Sequence, residues 1–236
     1  MANNKARRLV GAVIVLIGAI LLIATVFMPW YTEQLKATTP VGTGTSTNNA
    51  YPATPSQSNG IQCSSSGVGS CKYGSSSSYQ TDRLNNTGNI AEAGLFMLII
   101  GFVVGLVGAI LAVLWRGNPK RGTPALALAI IAMLLALLTP VLFAALLPGA
   151  QSSDYPQAER FVGSGPWSSF SGSSSGTLLT VPITFTWGPG IGWYLSFVAF
   201  VILLIGVVFL FLYRKDPASP APVSAPAAEA APAARS

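Results

Sequence analysis

Few residues in this chain can do chemistry. Its 236 residues include no histidine, two cysteines and seven carboxylates: Glu33, Asp82, Glu92, Asp154, Glu159, Asp216 and Glu229. Without imidazole the commonest general base, the usual haem ligand and most zinc sites are missing. Cys63 and Cys71 enclose seven residues, Ser-Ser-Ser-Gly-Val-Gly-Ser. Two thiols cannot complete a tetrahedral zinc site, and the spacing is not that of a CxxC redox pair. There is no glycine-rich phosphate loop, nucleophile elbow or paired-carboxylate constellation. The reading is therefore a non-enzyme without cofactor or metal.

Charge is scarce throughout. Only 8% of residues are charged while 51% are hydrophobic, against roughly 25% charged in an ordinary soluble domain. The apolar residues are concentrated in four uncharged runs, 9–27, 94–115, 124–147 and 191–213. At about 1.5 Å per residue these runs are about 28 to 36 Å long, enough to cross a hydrocarbon layer of about 30 Å as helices. A membrane β-barrel would show alternating polarity instead. The fold class is thus an all-α membrane protein, a bundle of four transmembrane helices TM1 to TM4. The first run follows Lys5, Arg7 and Arg8 as a signal peptide would. Its length and the lack of a small-x-small cleavage site predict a retained anchor.

Orientation follows from the lysines and arginines. Residues 1–8, 116–123 and 214–236 hold nine of them, against Asp216 and Glu229, a net of +7. The segments 28–93 and 148–190 hold Lys36, Lys72, Arg83 and Arg160 against five carboxylates, a net of −1. The positive-inside rule makes both termini cytoplasmic and the protein a multi-pass component of the cell membrane. The same partition explains the net charge of +6, so no nucleic-acid partner follows from it.

Aromatic side chains fall near the run ends, with Trp30 and Trp193 at one border and Trp115 and Tyr213 at the other. They are expected as headgroup anchors. Helices in lipid approach through small residues. TM1 carries Gly11 and Gly18. TM2 carries Gly94, Gly101, Gly105, Gly108 and Ala112, and TM3 carries Ala125, Ala129, Ala132 and Ala136. TM4 carries Gly192, Ser196, Ala199 and Gly206. Steps of three and four predict the seam of a left-handed bundle crossing near about 20°. The Gly101–Gly105 GxxxG pair is an alternative dimer motif. Pro140, after Thr139, is expected to kink TM3. None of the four runs contains Asp, Glu, Lys, Arg, Asn or Gln, which ion relays, carriers and voltage sensors need at depth.

Beyond the membrane, residues 28–93 form a long polar first loop. Its two cysteines lie on the oxidising side and are expected to form a structural disulfide. In the second loop, 148–190, residues 180–187 alternate so that Val181, Ile183, Phe185 and Trp187 share one face, a strand. Pro182 suggests an edge, or at least an unpaired side. Partner strands are sought in the first loop, near residues 30–37, 62–63 and 71–73, giving a small extracytoplasmic β-sheet built from both loops. Asn85-Asn86-Thr87 matches a glycosylation acceptor, and residues 214–236 read as a disordered Ala/Pro-rich tail.

Four spans, a longer first loop with a cysteine pair, Trp30 at the exit of TM1 and a strand in the second loop resemble the claudin and peripheral-myelin-protein tetraspans. Trp30, Cys63 and Cys71 carry the resemblance, while Gly60-Ile61-Gln62 stands where claudins have Gly-Leu-Trp. The resemblance implies a non-catalytic membrane protein that works by contact with lipid and with other membrane or cell-surface proteins, itself included. As an adhesion-like scaffold or an accessory subunit it would need a partner. The alternative is a pore or permease component whose pathway forms between protomers.

Overall fold

The computed structural model describes residues 2–40, 42–50, 52, 56–64, 71–78, 85–115, 122–154, 169–178 and 180–213, with the side chains of 2–5, 46, 48, 50, 56–64, 71–78, 85, 154 and 178 outside that description. The disulfide at Cys63 and Cys71 and the tail at 214–236 therefore fall on side chains or residues not described. The described residues form four helices: α1 (Ala2–Thr25), α2 (Asn85–Leu114), α3 (Gly122–Asp154) and α4 (Ile191–Leu212). Strands β1 (Tyr31–Thr39), β2 (Gly42–Ala50), β3 (Ser56–Ser64) and β4 (Cys71–Ser78) lie between α1 and α2. Strands β5 (Gly172–Leu178) and β6 (Val181–Pro189) lie between α3 and α4. All four helices are long and apolar enough to cross a membrane, and the protein is a multi-pass membrane protein.

In the bundle α1 and α3 each touch both α2 and α4 and sit across a diagonal from one another. The small residues explain how the backbones approach. A Cβ built at Gly105 would lie 3.0 Å from Ala19 and 3.3 Å from Ala132, and one at Gly101 would lie 2.9 Å from Leu22. At Gly108 it would come within 3.2 Å of the Ala129 nitrogen. Ala125, Ala129, Ala132 and Ala136 of α3 are fully buried opposite this face. On the other side Gly11 and Gly18 of α1 meet Phe209 and Leu203, while Gly206 of α4 meets Val15. Ser196 and Ala199 continue that buried face. The Gly101–Gly105 pair is thus taken up inside the chain's own bundle, contacting α1 and α3, and does not face a second copy.

On the side of the sheet two helices outrun their apolar segments. α2 begins at Asn85 and α3 continues through Pro140 and Pro148 to Asp154. At about 1.5 Å per residue α3 is about 50 Å long, so its last turns project past the hydrocarbon. They are held there by burial of Leu147, Ala150 and Gln151. The triplet 85–87 is correspondingly the first turn of a helix with Thr87 buried, not a surface loop.

The sheet is antiparallel, in the order β4-β3-β2-β1-β6-β5. Its centre is dictated by the bundle. Antiparallel α1 and α4 are neighbours, so the chain leaving α1 and the chain reaching α4 run side by side. Gly190 N–H donates to the Trp30 carbonyl at 2.9 Å and Gly192 N–H to the Pro29 carbonyl at 2.8 Å. From this join β1 and β6 pair from Tyr31↔Pro189 to Ala37↔Ile183. The edge position expected from Pro182 is corrected, because β6 lies between β1 and β5. Pro182 sits one residue beyond the last β1 pair, where a missing N–H costs no bond to that neighbour. Ile183 and Trp187 are buried, with Val181 and Phe185 half-buried, as the alternation requires.

Candidate functional site at the junction of bundle and sheet

Side chains from both layers converge where the helices meet the sheet. The short link after α1 turns Trp30 inward, where it is fully buried, and its indole N–H donates to the Thr25 carbonyl at 2.8 Å. That carbonyl, in the last turn of α1, also accepts the Met28 N–H at 3.1 Å, so the indole adds a second bond to it. The Trp30 ring meets Phe143 edge-on at 5.4 Å. Phe170 then links Phe143 (6.2 Å), Tyr31 (5.5 Å) and Trp193 (5.5 Å). Trp193 donates from its indole to the Pro140 carbonyl at 2.9 Å, tying α4 to α3 at the proline. On β6, Trp187 donates to the Ser169 carbonyl at 3.0 Å and stacks on Phe185.

Beside the aromatic residues is a buried polar contact. Gln151 Nε2 donates to Glu33 Oε1 at 2.8 Å, with Glu33 only 7% and Gln151 only 3% exposed. The contact joins the end of α3 to β1. Gln151→Leu is expected to cost about 1 to 3 kcal/mol, because the Glu33 carboxylate loses a buried donor. Gln151→Glu should cost more, by setting two carboxylates together. A detergent melt that ranked both with a change at exposed Ser153 would refute the structural role of this contact.

The opposite end of the bundle is held by arginine. Arg8 is buried, donates from Nε to the Tyr213 carbonyl at 2.6 Å, and lies over the Trp115 ring at 4.9 Å. Arg7 sits over the Tyr213 ring at 5.0 Å. A cation at the C-terminal ends of α2 and α4 complements their dipoles. The expected headgroup anchors therefore divide. Trp30 and Trp115 are buried within the protein, whereas Trp193 and Tyr213 are half-buried. The correction has a steric cause: Trp115 covers Gly122, where even a Cβ would overlap the ring, and Trp30 is similarly placed over Gly192.

Composition and periodicity did not single out Glu33, Gln151, Phe143 or Phe170. One signal for Gln151 was present: Phe143, Leu147 and Gln151 recur at four-residue steps on a helix that continues past Pro148. Among the described residues no three of His, Cys, Asp and Glu come together. Three hydroxyls within the spans bond to their own helices, Thr25 to the Leu22 carbonyl, Thr139 to Leu135 and Ser196 to Trp193. The sequence matches no protein-family model and no curated protein. What fold and junction define is a four-span membrane protein with an antiparallel sheet seated on one end of its bundle.

Proposed function

We propose that this is a non-catalytic contact protein of the cell membrane, an adhesion-like scaffold or an accessory subunit of a larger membrane assembly, with the sheet as its contact surface. The observation that carries the reading is the division of polar groups. Within the bundle Thr25, Thr139 and Ser196 spend their hydroxyls on their own backbones, between faces closed by glycine and alanine. Outside it, terminal strand β5 carries no charge and exposes Ser173, Ser175 and Thr177. An uncharged terminal strand lacks the lysines and prolines that discourage strand addition. The claudin-like arrangement of spans and loops agrees with this reading. So does the register of the β3–β4 hairpin, which sets Cys63 opposite Cys71 and suits a bridge between them.

We read the sheet as lying outside the cell, since it stands at the end of the bundle away from Arg7 and Arg8 and the positive-inside rule keeps basic ends in the cytoplasm. A cysteine introduced at Ser173, in a background lacking Cys63 and Cys71, should react with an impermeant reagent on whole cells, and one at Ser224 should not. The reverse pattern would invert the topology. Ser175→Lys with Thr177→Lys should abolish recovery of the partner from native membranes while leaving insertion intact. Undiminished recovery would remove β5 from the contact. Selective, saturable flux through the purified protein in liposomes would replace the contact reading with a pore formed between protomers.

A further inference from the structure

Between α2 and α3, on the half of the bundle nearer the sheet, is a groove of about 180 Å³. Its lining includes Asn89, Gly94 and Met97 of α2 and Thr139, Leu142 and Leu146 of α3. We propose that it is a binding site for one acyl chain of a membrane phospholipid, with the lipid's ester region beside Asn89. The inference stands apart from the contact reading and needs only that these helices span a membrane.

Three observations select this occupant. First, the lining belongs to two membrane-spanning helices and includes outward-facing Leu142 and Leu146, 42% and 54% exposed. The groove is therefore continuous with the surface that the bilayer covers. Water there would need two to four polar partners. The Thr139 hydroxyl is already bonded to the Leu135 carbonyl, which leaves Asn89 as the polar side chain of the lining available to a ligand. Second, the groove has a direction. From Asn89 to Met97 it follows α2 for about 12 Å, parallel to the helices and so along the bilayer normal, as lipid chains run. Its one amide stands at the end nearer the sheet, next to exposed Glu92 and Asn86 and five residues before the uncharged run that starts at Gly94, a position suited to ester groups. Third, a second copy is poorly suited to it. Close helix approach needs small residues, and those of α2 at 101, 105 and 108 are buried in its own bundle, while bulky Leu142 and Leu146 stand exposed in the lining.

Gly94 makes the space and supplies the test. A Cβ there would have Thr139 Cγ2 as its nearest neighbour at 3.9 Å, so a larger side chain enters the groove without displacing backbone. The full chain is reconstituted in dioleoylphosphatidylcholine vesicles with a trace of phosphatidylcholine bearing a diazirine on one acyl chain. Label is then mapped by peptide mass spectrometry after illumination. Labelling at half-buried Met97 and at Leu142 and Leu146 should exceed that at exposed Val201 and Ile205 of α4 by about tenfold, a preference of about 1.4 kcal/mol. Gly94→Leu and, independently, Ala93→Leu should bring the two regions to parity while labelling of α4 stays unchanged. Equal labelling of the two regions in the parent protein would overturn the proposal, as would enrichment that survives both substitutions. Disulfide crosslinking of two copies through Met97→Cys without lipid enrichment would assign the groove to a second copy instead.

Discussion

Gly190→Ala should cost this protein more than any change of similar size elsewhere on the helix seams. The backbone at Gly190, with φ −84° and ψ 174°, is open to any residue, so conformational freedom is not what glycine supplies here. The requirement is space. A Cβ at Gly190 would overlap the Pro29 carbonyl oxygen and lie 2.7 Å from the Pro29 carbonyl carbon, and backbone cannot rotate aside as a side chain can. The same few atoms carry the bonds from Gly190 to Trp30 and from Gly192 to Pro29. Relief of the clash therefore separates α1 from α4 and unzips the end of β1–β6. Overpacking costs about 1 to 3 kcal/mol, occasionally more, and this site should fall at or above the top of that range. Gly149→Ala is the control, since a Cβ there meets nothing within 4 Å. In a helix it should gain about 0.5 to 1 kcal/mol. The difference should be plain in thermal melts in detergent, and two equal melts would refute the close approach.

Trp30→Ala is the second large effect. The side chain is fully buried, lies edge-on to Phe143 and donates to the Thr25 carbonyl at the end of α1. Removal leaves a cavity at the base of the sheet and takes one of two donors from the Thr25 carbonyl, which keeps the Met28 N–H, for an expected loss of about 3 to 5 kcal/mol. Trp30→Phe keeps most of the ring volume and loses the bond, and should cost about 1 kcal/mol. Tyr194, 54% exposed on α4, gives the contrast: Tyr194→Ala should leave the melt nearly unchanged. If Trp30→Ala behaved like Tyr194→Ala, Trp30 would belong to the headgroup region, where its position at the end of a span suggests it should be.

That contrast shows how legible each part was. The four spans could be read directly because hydrocarbon demands uninterrupted apolar length, and the small-residue seam because close packing in lipid repeats at three and four residues. Strand β6 was legible from its alternation, and β1 from its position after TM1. Strands β2 and β5 were not. Gly-Thr-Gly-Thr-Ser-Thr-Asn-Asn-Ala and Gly-Ser-Ser-Ser-Gly-Thr-Leu carry no two-residue hydrophobic period. They are strands because β1 and β6 offer them backbone partners, a property of neighbours and not of their own side chains. The extension of α3 to Asp154 was hidden by Pro148, an ordinary stop signal overridden by burial of Leu147, Ala150 and Gln151.

The sequence by itself determined how many times the chain crosses a membrane, which helix faces are small enough to touch, and which end of the bundle is basic. Each is a property of residues adjacent along the chain or one helical turn apart, where composition and period are sufficient. Tertiary structure alone decided that Trp30 and Trp115 turn inward, that Arg8 covers the end of α4, that Glu33 meets Gln151 across 118 positions, and that β6 is an inner strand. Those outcomes depend on which distant segments the bundle brings side by side. A buried carboxylate or an indole N–H takes whichever partner lies within about 3 Å in space, and separation along the chain does not encode that distance.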